Sequence, residues 1–168
     1  MYKILVPVDG SDSALAGAHQ AVKLAAARSD AIVYLVNAQP LLNRHIAQFA
    51  SRRAIGDARD ERGQAALKPA RELVEAAGVP VHAAVLRGER AGVIARFAAD
   101  ECVDRVVLGT SRKGALLRLV SGSLTIRLLE RIEVPVEVVA GPSPSALQRW
   151  GIPAGVGVGL AALLLAAE

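Results

Sequence analysis

The chain of 168 residues is close to the roughly 150 expected of one domain, which favours a single core with a short appendage over two domains. Hydrophobic residues at 52% and charged ones at 21% exclude a disordered chain, and aromatics at 3% make the core aliphatic. The 20 Lys plus Arg against 16 Asp plus Glu leave +4, too little for a nucleic-acid footprint without a basic stripe, and one cysteine excludes an internal disulfide and a thiolate-rich metal site.

The first element, residues 4–8, is a short and almost wholly apolar run that reads as a strand buried on both faces. Pro7 interrupts it and Asp9 closes it, so it is too short for a secretory signal, and with Cys102 alone in the chain a cytoplasmic location is expected. Asp9-Gly10-Ser11 makes a turn, and Ser11 or Asp12 caps a helix to about Arg28 in which Leu15, Ala18, Val22 and Ala25 or Ala26 form one apolar stripe. Residues 31–36 are a second strand, and residues 41–77 one long or two shorter helices stopped by Gly78. A third strand covers 79–86, Gly88-Glu-Arg-Ala opens a helix over 90–100, and 104–109 is a fourth strand with glycine at its carboxyl end. A polar, basic loop over 110–122 leads to Ser123, which caps a helix to about Ile132, and residues 134–139 form the fifth strand.

Strands alternating with helices at this spacing predict an α/β fold, a five-stranded parallel doubly wound sheet of Rossmann-like type with short right-handed crossovers. Function in such sheets sits beyond the carboxyl ends of the strands where strand order reverses, which selects Asp9, Gly10, Asn37, Gly88 and Gly109 onward. Residues 141–145 read as a linker and 146–168 as a separate apolar tail.

Several motifs fail on chemistry. Gly109 and Gly114 have the spacing of a phosphate-binding P-loop, but Ala115-Leu116 follow where lysine and a hydroxyl are needed. Gly157 and Gly159 imitate a dinucleotide fingerprint with no room left for the βαβ unit it requires. His19, His45 and His82 fall on three separate elements, so no metal site is expected, and Ser11 and Ser123 lack an evident base and read as caps. The segment from Gly109-Thr-Ser-Arg-Lys-Gly114 to Ser121-Gly-Ser123 differs: it joins a strand end to a helix start through glycines and hydroxyls, which aims backbone N–H groups at one place as an anion cradle. Arg112, Lys113 and Arg118 add positive charge, and Asp9 faces the crevice where a ribose or nucleobase would lie; the plainer alternative is a basic loop with capping serines.

Here the chain resembles the universal stress proteins over residues 2–140. Lys3-Ile-Leu-Val-Pro-Val-Asp9-Gly-Ser11 is similar to that family's opening strand and turn, and Val106-Val-Leu-Gly109-Thr-Ser to its fourth strand and loop. Its nucleotide-binding branch carries a glycine, two residues, a glycine, nine residues and Gly-Ser; Gly109 and Gly122-Ser123 fall in register, and the middle glycine is replaced by Arg112. The resemblance implies an adenine nucleotide alpha hydrolase-like fold over residues 1–140. It also implies that ATP or another adenine nucleotide is surrounded by Pro7, Val8, Asp9, Asn37, Gly109, Gly122, Ser123 and Leu124, with Arg112 beside them. Arg112 either strains or occludes the site or pairs with phosphate. A homodimer through strand 134–139 is further implied, with a regulatory rather than catalytic role, since no residue is poised to activate water. The competing expectation is a nucleotide-free interaction module of the same fold. Nucleic acid is not an expected partner, because the basic residues of 44–71 alternate with Asp57, Asp60 and Glu61.

The tail lies outside that resemblance. From Trp150 to Ala167 it carries no charge, and glycines at 151, 155 and 159 have the four-residue spacing that lets membrane helices approach closely. Arg149-Trp150 is similar to an interfacial anchor, and residues 151–167 would make a helix of about 26 Å against a hydrocarbon core of about 30 Å. Residues 150–168 are therefore expected to associate with a membrane as a short anchor or interfacial segment, the alternative being a tail packed on the dimer or a partner.

Overall fold

The structure, a computed structural model, describes residues 1–40, 52–111 and 124–141. In chain order these form β1 (Tyr2–Pro7), α1 (Asp12–Ala26), β2 (Ala31–Gln39), α2 (Arg52–Ala76), β3 (Val81–Arg87), α3 (Arg90–Asp100), β4 (Arg105–Ser111), α4 (Leu124–Leu129) and β5 (Val136–Gly141). The strands pair in parallel in the order β3-β2-β1-β4-β5, which is the five-stranded sheet expected from the alternation of elements.

β1 is central because its side chains are apolar on both faces: Ile4 and Val6 pack beneath α1 and α2, and Leu5 packs with α3 and α4 on the other side. From β1 the chain steps outward through α1 and α2 to the β3 edge, then returns across the sheet through α3 to β4 and β5. With crossovers of one hand, this change of direction places the two helix pairs on opposite faces. It also separates the carboxyl ends of β1 and β4, and the crevice left there is the switch point of the sheet.

The first helix lies unusually near the sheet. Its buried face consists of Ala14, Gly17, Ala18, Ala21 and Ala25. A Cβ on Gly109 would stand 1.7 Å from the Ser13 carbonyl oxygen, and one on Gly141 2.6 Å from the Ser13 Cα. Glycine at the ends of β4 and β5 therefore answers to packing of the α1 first turn, whatever else it does for a ligand.

Helix ends follow local chemistry. Ser11 caps α1 as expected, its hydroxyl accepting from the Ala14 N–H at 3.2 Å, and Gly10 supplies the φ of +84° that turns the chain into it. The expected run of one or two helices up to Gly78 is, within the described residues, the single helix α2, whose Leu67, Ala70 and Val74 are buried. It ends in a Schellman pattern, with Val79 N–H bonded to the Val74 carbonyl and Gly78 N–H to that of Glu75, at a Gly78 φ of +70°. α3 ends identically through Val103 to Ala98 and Cys102 to Ala99, but with Cys102 in the left-handed position at φ 51°.

The observed boundaries depart from the expected ones where pairing extends a strand. β2 runs to Gln39 rather than Val36 because β3 continues the ladder through Asn37↔Val85, Ala38↔Leu86 and Gln39↔Arg87. β4 runs to Ser111 because β5, which spans Val136–Gly141 instead of 134–139, pairs with it to Ser111↔Gly141. α4 stops at Leu129, short of Ile132, where Arg131 and Ile132 N–H groups both turn back to the Leu128 carbonyl. Residues 41–51, 112–123 and 142–168 lie outside the described residues, and with them the 141–145 linker beyond Gly141, the apolar tail, and the site candidates Arg112, Gly122 and Ser123. Among the described residues no helix is long and apolar enough to cross a membrane.

Candidate functional site

At the switch point lies a cavity of about 640 Å³, within the range of small-molecule and cofactor pockets. The turn after β1 contributes Pro7, Val8 and Asp9; the end of β2 contributes Asn37 and Gln39; the end of β4 contributes Leu108, Gly109 and Thr110; and α4 begins at its wall with Leu124 and Thr125. Ser13 and Ala14 of α1, Arg62 and Ala66 of α2, and Arg90 and Ile94 of α3 close the sides.

Asp9 is held by its own turn. Its Oδ1 accepts from the Ser11 N–H at 3.0 Å and from the Ser11 hydroxyl at 2.6 Å, so the carboxylate is oriented before any ligand arrives. Oδ2 has no partner among the described residues, which leaves an exposed carboxylate oxygen able to accept from hydroxyl groups such as those of a sugar.

Asn37 is the one buried polar residue of the described core, 4% exposed. Its Nδ2 donates to the Val8 carbonyl at 2.7 Å and its Oδ1 accepts from Gln39 Nε2 at 2.6 Å, while the Val8 N–H bonds the Val36 carbonyl at 2.8 Å. Asn37 thus ties the end of β1 to the end of β2 and leaves Gln39 to face the cavity. Gly63 of α2 passes close by: a Cβ there would meet Val85 at 2.7 Å and Asn37 Oδ1 at 3.3 Å.

The charges around the cavity are unevenly matched. Arg87 and Asp60 pair at the end of β3, and Glu89 pairs with Arg127 at 3.0 Å and Arg131 at 2.5 Å. Glu89 also caps α3, accepting from Ala91 N–H at 3.0 Å and Gly92 N–H at 2.8 Å. The Gly92 N–H foremost holds its carboxyl below the ordinary 4.5; partial burial opposes this, and the Ala91 N–H and the Arg131 and Arg127 guanidinium groups add to the lowering. With these acids engaged, Arg62 and Arg90 have no carboxylate partner among the described residues, and no acid stands three or four positions from either on its helix. Both line the cavity, where Asp9 is the one carboxylate among the described residues, so the described part of the lining carries net positive charge.

Of the residues expected at the site, Pro7, Val8, Asp9, Asn37, Gly109 and Leu124 are brought to one cavity. Gly10 and Gly88 have the positive φ of turn residues and do not line it. Asn37 lines it, but both ends of its amide are engaged by the protein. Thr110, within the segment from Gly109 onward expected at the site, lines it too, whereas Gln39, Arg62, Arg90, Ser13 and Thr125 were not expected there. Gln39 carried a signal, since it follows Asn37 by two and so shares its face of an extended β2; Arg62 carried none that separates it from the other arginines of its helix. Among the described residues no group of three or more His, Cys, Asp or Glu stands together as a metal site.

An open parallel sheet with its crevice at the reversal of strand order defines a class of α/β proteins that take their ligands beyond the strand ends. The comparisons narrow this further. The universal stress protein family model matches residues 1–140, and a universal stress protein of Methanocaldococcus jannaschii is 33% identical over 142 residues, covering 83% of this chain and 82% of that one. The chain belongs to the universal stress protein family. Solved structures share its fold: a family protein of Arabidopsis thaliana with AMP bound has a TM-score of 0.62 at 18% identity, covering 86% of this chain and 94% of that one. The universal stress protein of Archaeoglobus fulgidus in complex with dAMP has 0.60 at 21%, covering 82% and 97%.

Proposed function

We propose that this protein binds an adenine nucleotide in the cavity at the switch point and reports its binding state to a partner. The observation that carries this reading is the meeting, in one cavity of about 640 Å³, of the oriented Asp9 carboxylate with the Gly109-Thr110 strand end and the start of α4. Asp9 suits ribose hydroxyls, while the end of β4, the net positive lining and the basic stretch around Arg112 suit phosphate. The AMP and dAMP complexes of the Arabidopsis and Archaeoglobus proteins support the ligand class, and ATP is the finer expectation. Asp9 is the one carboxylate of the lining among the described residues, and its Oδ1 is already engaged with Ser11, so the role we assign is binding rather than turnover.

Mass spectrometry of small molecules released on denaturation, followed by calorimetry with AMP and ATP, tests the reading: recovery or micromolar binding of an adenine nucleotide is expected. No heat and no thermal shift at millimolar nucleotide would favour the nucleotide-free module instead. Arg112→Gly sharpens it, because tighter binding marks a clash, whereas weaker binding of ATP than of adenosine marks a phosphate contact.

Two further parts of the proposal concern assembly. β5 is the last strand of the sheet, with Val138 45% exposed, and pairing of two copies along it is the proposed dimer; sedimentation of the full chain should give twice the monomer mass, and Val138→Lys should reduce it. The uncharged run from Trp150 to Ala167 is proposed as a membrane-associating tail. Full-length protein should then pellet with membranes while a chain ending at Ser145 stays in the supernatant, and equal behaviour of the two would remove that part.

A further inference from the structure

The carboxylate of Glu89 joins α3 to α4. Its Oε1 accepts from the Ala91 N–H at 3.0 Å and pairs with Arg127 Nη2 at 3.0 Å, while its Oε2 accepts from the Gly92 N–H at 2.8 Å and from Arg131 Nη1 at 2.5 Å. Each oxygen thus meets one backbone donor of α3 and one guanidinium from the other element. Arg127 has Glu130 three positions on, yet both guanidinium groups turn to Glu89. Gly92 leaves room for the joint, since a Cβ there would stand 3.0 Å from both Arg131 Nη1 and Glu89 Oε2. α4 depends on this joint for its roll. It has six residues, too few to hold a helix in water alone, and Leu128 is its one buried residue. Leu124, Leu128 and Ile132 pack at intervals of four into the apolar cluster shared with α3, and the turn past Leu129 keeps helical bonds from Glu130 N–H to Ile126 and from Ile132 N–H to Leu128. One row of apolar contacts resists tilt but leaves the helix free to roll about it. Arg127 and Arg131 make a second row, also four apart, and their pairing with Glu89 stops the roll. Roll matters because Leu124 and Thr125 line the cavity, so turning α4 carries Thr125 toward or away from a bound group.

We infer that Glu89 is a positioning residue for the nucleotide phosphates, acting without touching the ligand by fixing the roll of α4 through Arg127 and Arg131. The inference rests on the nucleotide reading above, which puts phosphate at the end of β4 and the start of α4, and adds to it the group that holds that wall in place. Glu89, Arg127 and Arg131 are not among the residues lining the cavity. Their ion pairs are partly exposed, and such pairs contribute little to stability, so the consequence falls on binding. A wall already held in one place spares the ligand the loss of freedom that fixing it would bring. The sign of the effect separates position from charge. Glu89 is an acid near an anion site, so its field alone would make its removal tighten phosphate binding. Release of α4 makes the same removal weaken it.

Calorimetry with ATP on the full chain and its variants, each checked by thermal melting to be folded at the assay temperature, reads that sign. Glu89→Gln should weaken ATP by about 3- to 10-fold, and adenosine, which has no phosphate, by less than about 2-fold. Glu89→Asp keeps an acid and a helix cap but is one methylene short of the two guanidinium groups. It should weaken ATP in the same sense, and it decides the matter if the glutamine variant does not fold. In a chain already carrying Arg127→Gln and Arg131→Gln, adding Glu89→Gln should change ATP affinity by less than about 2-fold, because the joint is gone. Tighter or unchanged ATP binding in either Glu89 variant, an equal loss for adenosine, or additive effects when the arginine and Glu89 changes are combined overturns the inference while leaving the nucleotide reading intact. Binding of neither ATP nor adenosine by the unaltered chain removes the nucleotide reading itself, and this inference with it.

Discussion

The two ends of the sheet are built from the same kinds of polar residue and use them differently. At the amino ends of the strands the groups close on one another: the Met1 ammonium pairs with Asp30 at 3.0 Å, and Lys3 donates through its N–H to Asp104 at 2.7 Å and through Nζ to the Glu101 carbonyl at 2.6 Å. Glu137 accepts from Arg105 at 2.9 Å and from Gln20 at 2.7 Å. The Arg105 Nε is the buried side-chain atom left without a partner among the described residues. At the carboxyl ends, Asp9 Oδ2, Gln39 Oε1, Arg62 and Arg90 keep bonding capacity that the described residues do not take up, and all four residues line the cavity. Stability and recognition are thus divided along the strand direction. Groups satisfied within the chain contribute to folding, and groups oriented but left open are the ones a ligand can reach.

Substitutions at the two ends should therefore separate. The largest effect is expected where the two roles meet, at Gly109, since its Cβ would fall 1.7 Å from the Ser13 carbonyl oxygen. Gly109→Ala should force α1 away from β4, cost about 3 kcal/mol or more in urea unfolding, and abolish nucleotide binding. Asp9→Ala should act on binding alone, weakening AMP by about 10- to 100-fold through loss of charged hydrogen bonds, with a small change in melting temperature because the side chain is exposed. An Asp9 variant that unfolded like the Gly109 variant would erase the division.

Cys102 sharpens the comparison from the other end. It holds at φ 51° the position that Gly78 holds in α2, so Cys102→Gly should stabilise the fold by about 1 kcal/mol and leave nucleotide affinity unchanged. The smallest effect concerns the Glu89 clamp between α3 and α4. Because its folded-state pKa lies below 4.5, its contribution is fully present above pH 4.5 and is lost as pH falls through the lowered value. Thermal melts of the unaltered chain and of Glu89→Gln should differ at pH 7 and converge toward pH 3.

Much of this was legible in the order of residues. The unbroken apolar run of residues 4–8 marked β1 as a strand buried on both faces, Ser11 and Gly78 marked helix ends, and the alternation of elements implied a parallel sheet whose strand ends carry the site. Asp9 and Gly109 were identifiable because they follow apolar strands directly, and the strand ends converge in any sheet of this kind. What a strand does beyond its apolar run was not legible, because Asn37, Ala38 and Gln39 are extended by pairing with β3, a partner more than 40 residues away. The use of Gly109 was not legible either: its φ is not positive, and only the packing of α1 against β4 explains why a side chain is excluded there. The orientation of Gln39 was decided last of all, by a carbonyl of β1, an amide of β2 and a helix passing at Gly63, three elements brought together by packing. Local pattern determined the elements and the end of the sheet at which they act, since those depend on neighbours in sequence; tertiary contact decided which polar groups are consumed and which are left open, because hydrogen-bond satisfaction depends on neighbours in space.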